Sequence, residues 1–189
     1  MSDNSQSSRK VFAKDPQSAL LAEYQSLRSE SIQIGQVIST TLWVAVSSYG
    51  VTGSAGLAIL KYLPNMLTIL LGLLCVQSLA ASLMFLANIF KYVRIGSYIR
   101  KHVESRLIQE TGDRLLNWEG WVEKRRPKWY YVVSFLILQS PIFCAICVPL
   151  LGLADVNVPA VLTISLTSFC LTTIFACWVV YGIWRLANE

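Results

Sequence analysis

Basic side chains interleaved with tryptophans occupy a single polar stretch, residues 91–128, which lies between long apolar segments. The stretch holds ten of the sixteen basic residues and five acids, so its formal net charge is +5. Arginine offers a planar fork to phosphate, and tryptophan offers a face for base stacking. This chemistry suits an anionic ligand, a nucleic acid or a partner protein. The candidate binding residues are Arg94, Arg100, Lys101, Arg106, Arg114, Arg125 and Arg126.

Membrane topology gives a second explanation for the same basic residues. Cytoplasmic loops of membrane proteins are enriched in lysine and arginine. Anionic lipid headgroups also attract such residues. From the sequence, ligand binding and this topological role both remain open.

The cysteine, histidine and carboxylate patterns do not predict catalysis. All five cysteines lie in apolar segments, and Cys144 and Cys147 form a CxxC motif. A thiolate would be costly in hydrocarbon, and no histidine lies nearby to complete a zinc site. We therefore interpret the cysteines as small apolar residues. Zincin, nucleophile-elbow and P-loop motifs are absent from the sequence. We expect no enzyme activity, no cofactor and no metal.

Long uncharged segments predict the fold class. Residues 63–90, 129–154 and 156–184 contain no charged residue. Each segment exceeds the length of about 20 residues that a helix needs to cross a bilayer. Residues 32–60 are also uncharged but contain many Ser, Thr and Gly residues, so a re-entrant or surface helix is the alternative to a span there. We expect an all-α membrane protein with four transmembrane helices and a small cytoplasmic helical hairpin between the second and third.

Polar side chains inside these spans are candidates for a pore or for helix interfaces. Such groups hydrogen-bond to neighbouring helices or line a water path. Two lie on one face of the first span, one near the middle of the second, and three recur at helical spacing in the fourth. They are Gln36, Thr40, Gln77, Ser165, Ser168 and Thr172. We expect a cyclic homo-oligomer, with a tetramer favoured over a dimer.

The polar segments are expected to be helical in part. Asp15 and Pro16 form a helix start, and Leu20, Tyr24 and Leu27 follow on one face. This amphipathic helix either lies on the membrane or packs on the 91–128 segment. The apolar pattern of the second span continues past Phe90 to about residue 109. A second short helix is expected between Gly112 and Pro127.

These observations predict five segments along the chain. They are a cytoplasmic tail with an amphipathic helix (1–31), a first transmembrane pair (32–90), a basic cytoplasmic linker (91–128), a second transmembrane pair (129–185) and a cytoplasmic C-terminus (186–189).

Charge asymmetry predicts the orientation of the spans. Fifteen basic residues fall on one side of the four predicted spans, and only Lys61 falls on the other. The positive-inside rule then places both termini and the linker in the cytoplasm. The extracytoplasmic loops are short, so we expect membrane lipids as partners and no large extracellular partner.

Three sequence segments carry a resemblance to known proteins. They read EYQSLRSE before the first span, then IGSYIRKHVESRL and WEGWVEKRR between the two pairs. The arrangement resembles small bacterial inner-membrane proteins with four spans. It is similar to membrane components of anti-phage defence systems, the Hailong-type channel effectors and the Kiwa-type membrane sensors.

The resemblance implies one of two functions. The first is an oligomeric ion channel gated by a nucleotide or oligonucleotide, made by a partner enzyme, at the cytoplasmic face. Its opening would depolarise the bacterial inner membrane during infection. The alternative is a sensor or scaffold that detects phage infection and binds a soluble DNA-binding partner protein. No catalytic residues are implied by either.

Overall fold

A computed structural model of the protein describes residues 16–60, 66–111, 128–150 and 157–188, which are helical apart from Asn157 and contain no strand. The helices are α1 (Pro16–Leu60), α2 (Leu67–Tyr98), a π-helical turn (Ile99–Glu104), α3 (Ser105–Thr111), α4 (Lys128–Leu150) and α5 (Val158–Asn188).

The chain divides into two compact units, and α1 and α2 each contribute to both. Residues 34–92 and 127–189 form one unit, which we call the helical bundle. Residues 1–33 and 93–126 form the other, which we call the paired-helix unit. Each unit is described separately below.

In the part of the chain that the structure describes, three helices are long and apolar enough to cross a membrane. They lie within Leu67–Glu104, Trp129–Val148 and Val158–Leu186. These helices confirm the all-helical character and three of the four apolar segments predicted from the sequence. The fourth, in α1, is not among them, because its Ser, Thr and Gly residues lower its hydropathy. The second helix of the expected hairpin, between Gly112 and Pro127, lies outside the described residues.

Helix α1 is continuous over 45 residues. The SSYGVTGSAG segment, which is rich in small residues, does not interrupt this helix. Ser48 and Ser54 donate hydrogen bonds to the carbonyl oxygens of Ala45 and Val51, three residues earlier (2.9 and 3.1 Å). These local bonds satisfy the hydroxyl groups without interrupting the backbone ladder.

Helix α2 packs against the other three helices of the bundle. Its Phe85 packs in a buried cluster with Ile38 and Ala45 of α1 and Leu138 of α4. A second buried cluster joins other residues of α2 to α4 and α5; its members are Leu71, Cys75, Ile142, Ala145 and Val161. Helix α2 therefore contributes to both hydrophobic clusters of the bundle.

The close approach of α2 and α5 depends on a small residue. A Cβ atom placed at Gly182 would lie 2.7 Å from Cε2 of Phe90. The Phe90 ring also packs on Trp178, with ring centroids 5.5 Å apart. Near the other end of the contact, Gly72 faces Ile164. The order of these contacts makes α2 and α5 parallel.

The polarity of the bundle is inverted relative to a water-soluble protein. Its buried polar residues are Ser78, Ser82, Ser134, Gln139, Ser165, Ser168 and Thr172. Large apolar side chains are exposed on all four helices, including Trp43, Val76, Leu136 and Ile174. An apolar exterior around polar interior contacts is typical of helices assembled in lipid.

The paired-helix unit has its own small core. Tyr24, Ile99 and Val103 are buried together, and Leu20 packs against them with Leu27 and Ile95. The predicted amphipathic face of α1 is confirmed, and of its two expected locations the packing on the 91–128 segment is the one observed. The helical structure also continues to Thr111, as the apolar pattern predicted.

The π-helical turn explains how this core keeps its alignment. Ile95, Ile99 and Val103 are spaced four residues apart, which drifts around an α-helix of 3.6 residues per turn. A π-helical turn is wider because its hydrogen bonds join residues five apart. The turn at Ile99–Glu104 therefore keeps Ile99 and Val103 on the side that faces Tyr24.

Candidate functional site

The structure describes four of the seven candidate basic residues. Arg94 and Arg106 are exposed, whereas Arg100 and Lys101 are half-buried and already interact with other groups. The remaining three, at positions 114, 125 and 126, lie outside the described residues. Arg94 and Arg106 are therefore the described arginines most available to an anionic ligand.

An aromatic pair lies beside these arginines in the same helical segment. Tyr98 packs on His102, with ring centroids 5.1 Å apart, and donates a hydrogen bond to Oε1 of Glu23 (3.1 Å). Glu104, in the following turn, is buried. Its burial was not predicted from the sequence, where Glu104 is one of five acids in a basic stretch. A buried carboxylate requires a partner, so Glu104 is part of the packing of this unit.

The hydroxyl groups of α5 serve packing inside the bundle. Ser165 and Thr172 donate to the carbonyl oxygens of Val161 (2.7 Å) and Ser168 (3.0 Å), four residues earlier in each case. The Ser165 hydroxyl also lies 3.4 Å from Sγ of Cys75 on α2. All three candidate residues of α5 are buried, so they line no open path within the bundle.

Gln77 pairs with another helix of its own chain. Its Nε2 donates to Oγ1 of Thr52 on α1 (3.2 Å), and its Oε1 lies 3.3 Å from the same hydroxyl. The amide therefore joins α1 to α2 within one bundle. This arrangement fits the helix-joining role that the sequence favoured for Gln77.

Replacing Gln77 with leucine is expected to weaken the bundle without changing its oligomeric size. Hydrogen bonds between membrane helices contribute about 0.6 kcal/mol on average. Thermal unfolding in detergent and size-exclusion chromatography would measure the two effects. Thr52→Val is the matched variant, since it removes the same bond from α1. A change in oligomeric size with Gln77→Leu alone would show that Gln77 contacts a second copy.

A row of polar side chains faces outward from α1. Gln36 and Thr40 are exposed, and Ser47 and Ser54 follow on the same side. We call these four residues the α1 polar row. Their spacings of four and seven residues align them along one face of an α-helix. Of the six pore or interface candidates, the structure leaves Gln36 and Thr40 exposed; Ser47 and Ser54 extend the row beyond that set.

Proline 141 removes a backbone donor from the middle of α4, and side chains replace it. Proline has no N–H group for the carbonyl of the residue four positions earlier. That carbonyl belongs to Ile137 and accepts a hydrogen bond from the Ser140 hydroxyl (2.7 Å). The next carbonyl, of Leu138, accepts from the hydroxyls of Ser78 and Tyr49. Helix α4 continues through the proline with these substitutes.

Gln139, between these two positions, is a buried polar residue that the sequence analysis missed. Its Nε2 donates to the Ser82 hydroxyl on α2 (2.9 Å). Its Oε1 is fully buried, and no group in the described part of the chain donates to it. An unsatisfied buried acceptor costs about 1–3 kcal/mol. The signal in the sequence was a glutamine two positions before a proline in an uncharged segment.

No protein-family model, curated protein sequence or solved structure matches this chain. The resemblance to membrane components of anti-phage defence systems therefore stays a prediction.

The cysteines show no arrangement for metal binding. Among residues 16–60, 66–111, 128–150 and 157–188, no group of three or more His, Cys, Asp or Glu side chains could hold a metal ion. Cys75 is buried, and the other four cysteines are exposed on the apolar exterior of α4 and α5. Their positions agree with the interpretation of cysteine as a small apolar residue.

Proposed function

We propose that the protein is a subunit of a homo-oligomeric ion channel in a bacterial inner membrane, and that α1 lines its pore. The observation that carries this proposal is the α1 polar row, whose four exposed polar residues follow one face of a bundle with a mostly apolar exterior. Polar side chains in membrane helices face a protein interior or a water-filled cavity. Within one copy of the bundle, the α1 polar row faces neither a protein interior nor a water-filled cavity.

The proposal makes residues 34–60 of α1 the fourth span. These 27 residues extend about 40 Å as a helix, which exceeds the hydrocarbon core of about 30 Å. Ile38 and Ala45 pack in the same cluster as Phe85 and Leu138, so this part of α1 lies along two apolar helices. The Ser, Thr and Gly residues that lower its hydropathy are those expected of a helix beside water.

The pore would form between copies because the interior of one bundle is closed. The seven buried polar residues of the bundle are at most 4% exposed. A ring of copies would instead bring the α1 polar rows together around a common axis. A cyclic tetramer is the favoured assembly.

The cytoplasmic basic residues would attract the permeant ion and the gating ligand. With both termini and residues 91–128 in the cytoplasm, their positive charge raises the local anion concentration. Conduction should therefore favour anions. The exposed Arg94 and Arg106 would bind the phosphates of a nucleotide or oligonucleotide. Opening would depolarise the membrane during phage infection.

Cysteine modification tests the position of the pore. In a variant whose five cysteines are replaced by alanine, Ser47→Cys is exposed to a charged, membrane-impermeant thiol reagent during planar-bilayer recording. The expected result is a change in current, because the reagent reaches the pore through water. Leu136→Cys is the control, since Leu136 is exposed on the apolar exterior of α4. Modification at Leu136 with none at Ser47 would contradict a pore lined by α1.

A second candidate function is a sensor or scaffold that binds a soluble partner protein. The observation in its favour is that the paired-helix unit has its own core and exposes Tyr98 together with Arg94 and Arg106. Planar-bilayer recording separates the two functions. Silence at all voltages, with and without oligonucleotide, would exclude the channel and leave the scaffold.

A further inference from the structure

Among the described residues, the side-chain oxygen of Gln139 is the one buried side-chain polar atom without a hydrogen-bond partner. Its side chain is 2% exposed, and Nε2 already bonds to the Ser82 hydroxyl on α2. Oε1 is buried and receives no hydrogen bond from the described residues. Exchanging the amide oxygen and nitrogen does not help. Ser82 would then donate to the oxygen, and the NH₂ group would lack its acceptor.

The Ser82 hydroxyl offers a proton beside this unsatisfied oxygen. As an acceptor from Gln139, Ser82 still has its own O–H to donate. The amide oxygen of Gln139 is therefore an unused acceptor, and the Ser82 hydroxyl is an unused donor. One small molecule could bind to both. A water molecule that donates to Oε1 and accepts from Ser82 would satisfy the hydrogen-bonding capacity of both groups.

The surroundings suit a water molecule. Ser78 and Ser82 are both 0% exposed, and serine side chains occupy little volume. The adjacent stretch of α4 has already lost a backbone donor at Pro141. Membrane helices with proline commonly use ordered waters and hydroxyl side chains to satisfy the freed groups. Buried waters bind where polar groups would otherwise stay unsatisfied.

We propose that a water molecule is bound inside the helical bundle between Gln139 of α4 and Ser82 of α2, next to Pro141. The site lies within one copy of the chain. It is therefore independent of the pore between copies, and it would be present in a channel or in a scaffold.

Radiolytic labelling tests the site on the purified full-length protein. A short X-ray pulse converts bound water into hydroxyl radicals, which oxidise side chains within reach. Leu138 directly precedes Gln139, Phe85 lies three residues after Ser82, and both are 0% exposed. We expect at least one of them to be oxidised in the natural protein. Val161, 1% exposed in the other buried cluster, should stay unlabelled.

Two variants make the result decisive. Gln139→Met keeps the size of the side chain and removes the amide, so the label should be lost. Gln77→Met is the matched control, because Gln77 bonds to Thr52 and its replacement should leave the label unchanged. No label in the natural protein, or an unchanged label in Gln139→Met, would overturn the proposal.

Thermal unfolding gives a second readout with an informative sign. If the site holds water, Gln139→Met loses several hydrogen bonds and the Tm falls. If the site is dry, the same change removes an unsatisfied buried oxygen and the Tm rises. A rise in Tm would also overturn the proposal.

Discussion

Replacing Phe85 with alanine is expected to lower the free energy of unfolding by about 3–5 kcal/mol. Phe85 is fully buried where α1, α2 and α4 meet, and it contacts the cluster of Ile38, Ala45 and Leu138. Removing its side chain leaves a cavity, because α1, α2 and α4 cannot all move inward to fill the space. Tryptophan fluorescence during denaturant titration in detergent would measure the loss, and the chain contains six tryptophans as reporters.

Met84 provides the control for this substitution. It precedes Phe85 on the same helix but is 58% exposed on the apolar exterior. Because lipid or detergent refills the space it leaves, Met84→Ala should have little effect on stability. Equal losses for the two variants would show that Phe85 does not occupy the bundle interior.

A lysine at position 47 should be tolerated, whereas a lysine at position 174 should prevent stable insertion. Ile174 is 66% exposed at the middle of α5, where the proposal places lipid. A lysine at the centre of a membrane helix costs about 2.5–3.5 kcal/mol in insertion experiments. Ser47 is at the middle of residues 34–60, on the α1 polar row, where water would solvate the charge.

Membrane fractionation and planar-bilayer recording measure these two outcomes. Ile174→Lys should be depleted from the membrane fraction. Ser47→Lys should accumulate normally and shift the reversal potential towards stronger anion preference, since each copy adds a positive charge to the pore. If Ser47→Lys is depleted to the same extent as Ile174→Lys, the α1 polar row faces lipid and the proposed pore is wrong.

The apolar segments were predictable because hydrocarbon imposes a simple length rule. The uncharged runs located α2, α4 and α5, and the pattern of Leu20, Tyr24 and Leu27 identified the packed face of α1. The continuity of α1 was not predictable from its small residues. Their usual effect in water is to break helices, whereas here the serine hydroxyls bond locally to the backbone. The four-residue spacing around Ile99 was visible, but it did not by itself indicate a π-helical turn.

The residues of the candidate site were also predictable only in part. The sequence identified Gln36, Thr40 and the α5 hydroxyls as polar residues within spans. It could not separate outward-facing from buried members, because that difference depends on which helices pack together. Gln139 was missed for the same reason: only the packing of α4 on α2 leaves its oxygen buried without a donor.

The modest apolarity of α1 has a consequence for the biogenesis of this protein in the proposed topology. Residues 34–60 are synthesised before the three apolar helices that follow them, yet they partition into lipid less readily than those helices. Their retention in the bilayer would depend on Phe85 and Leu138, which are synthesised later. This span would therefore be held stably in the bilayer only after the later helices have been inserted. A chain truncated after α1 would be a substrate for membrane quality control.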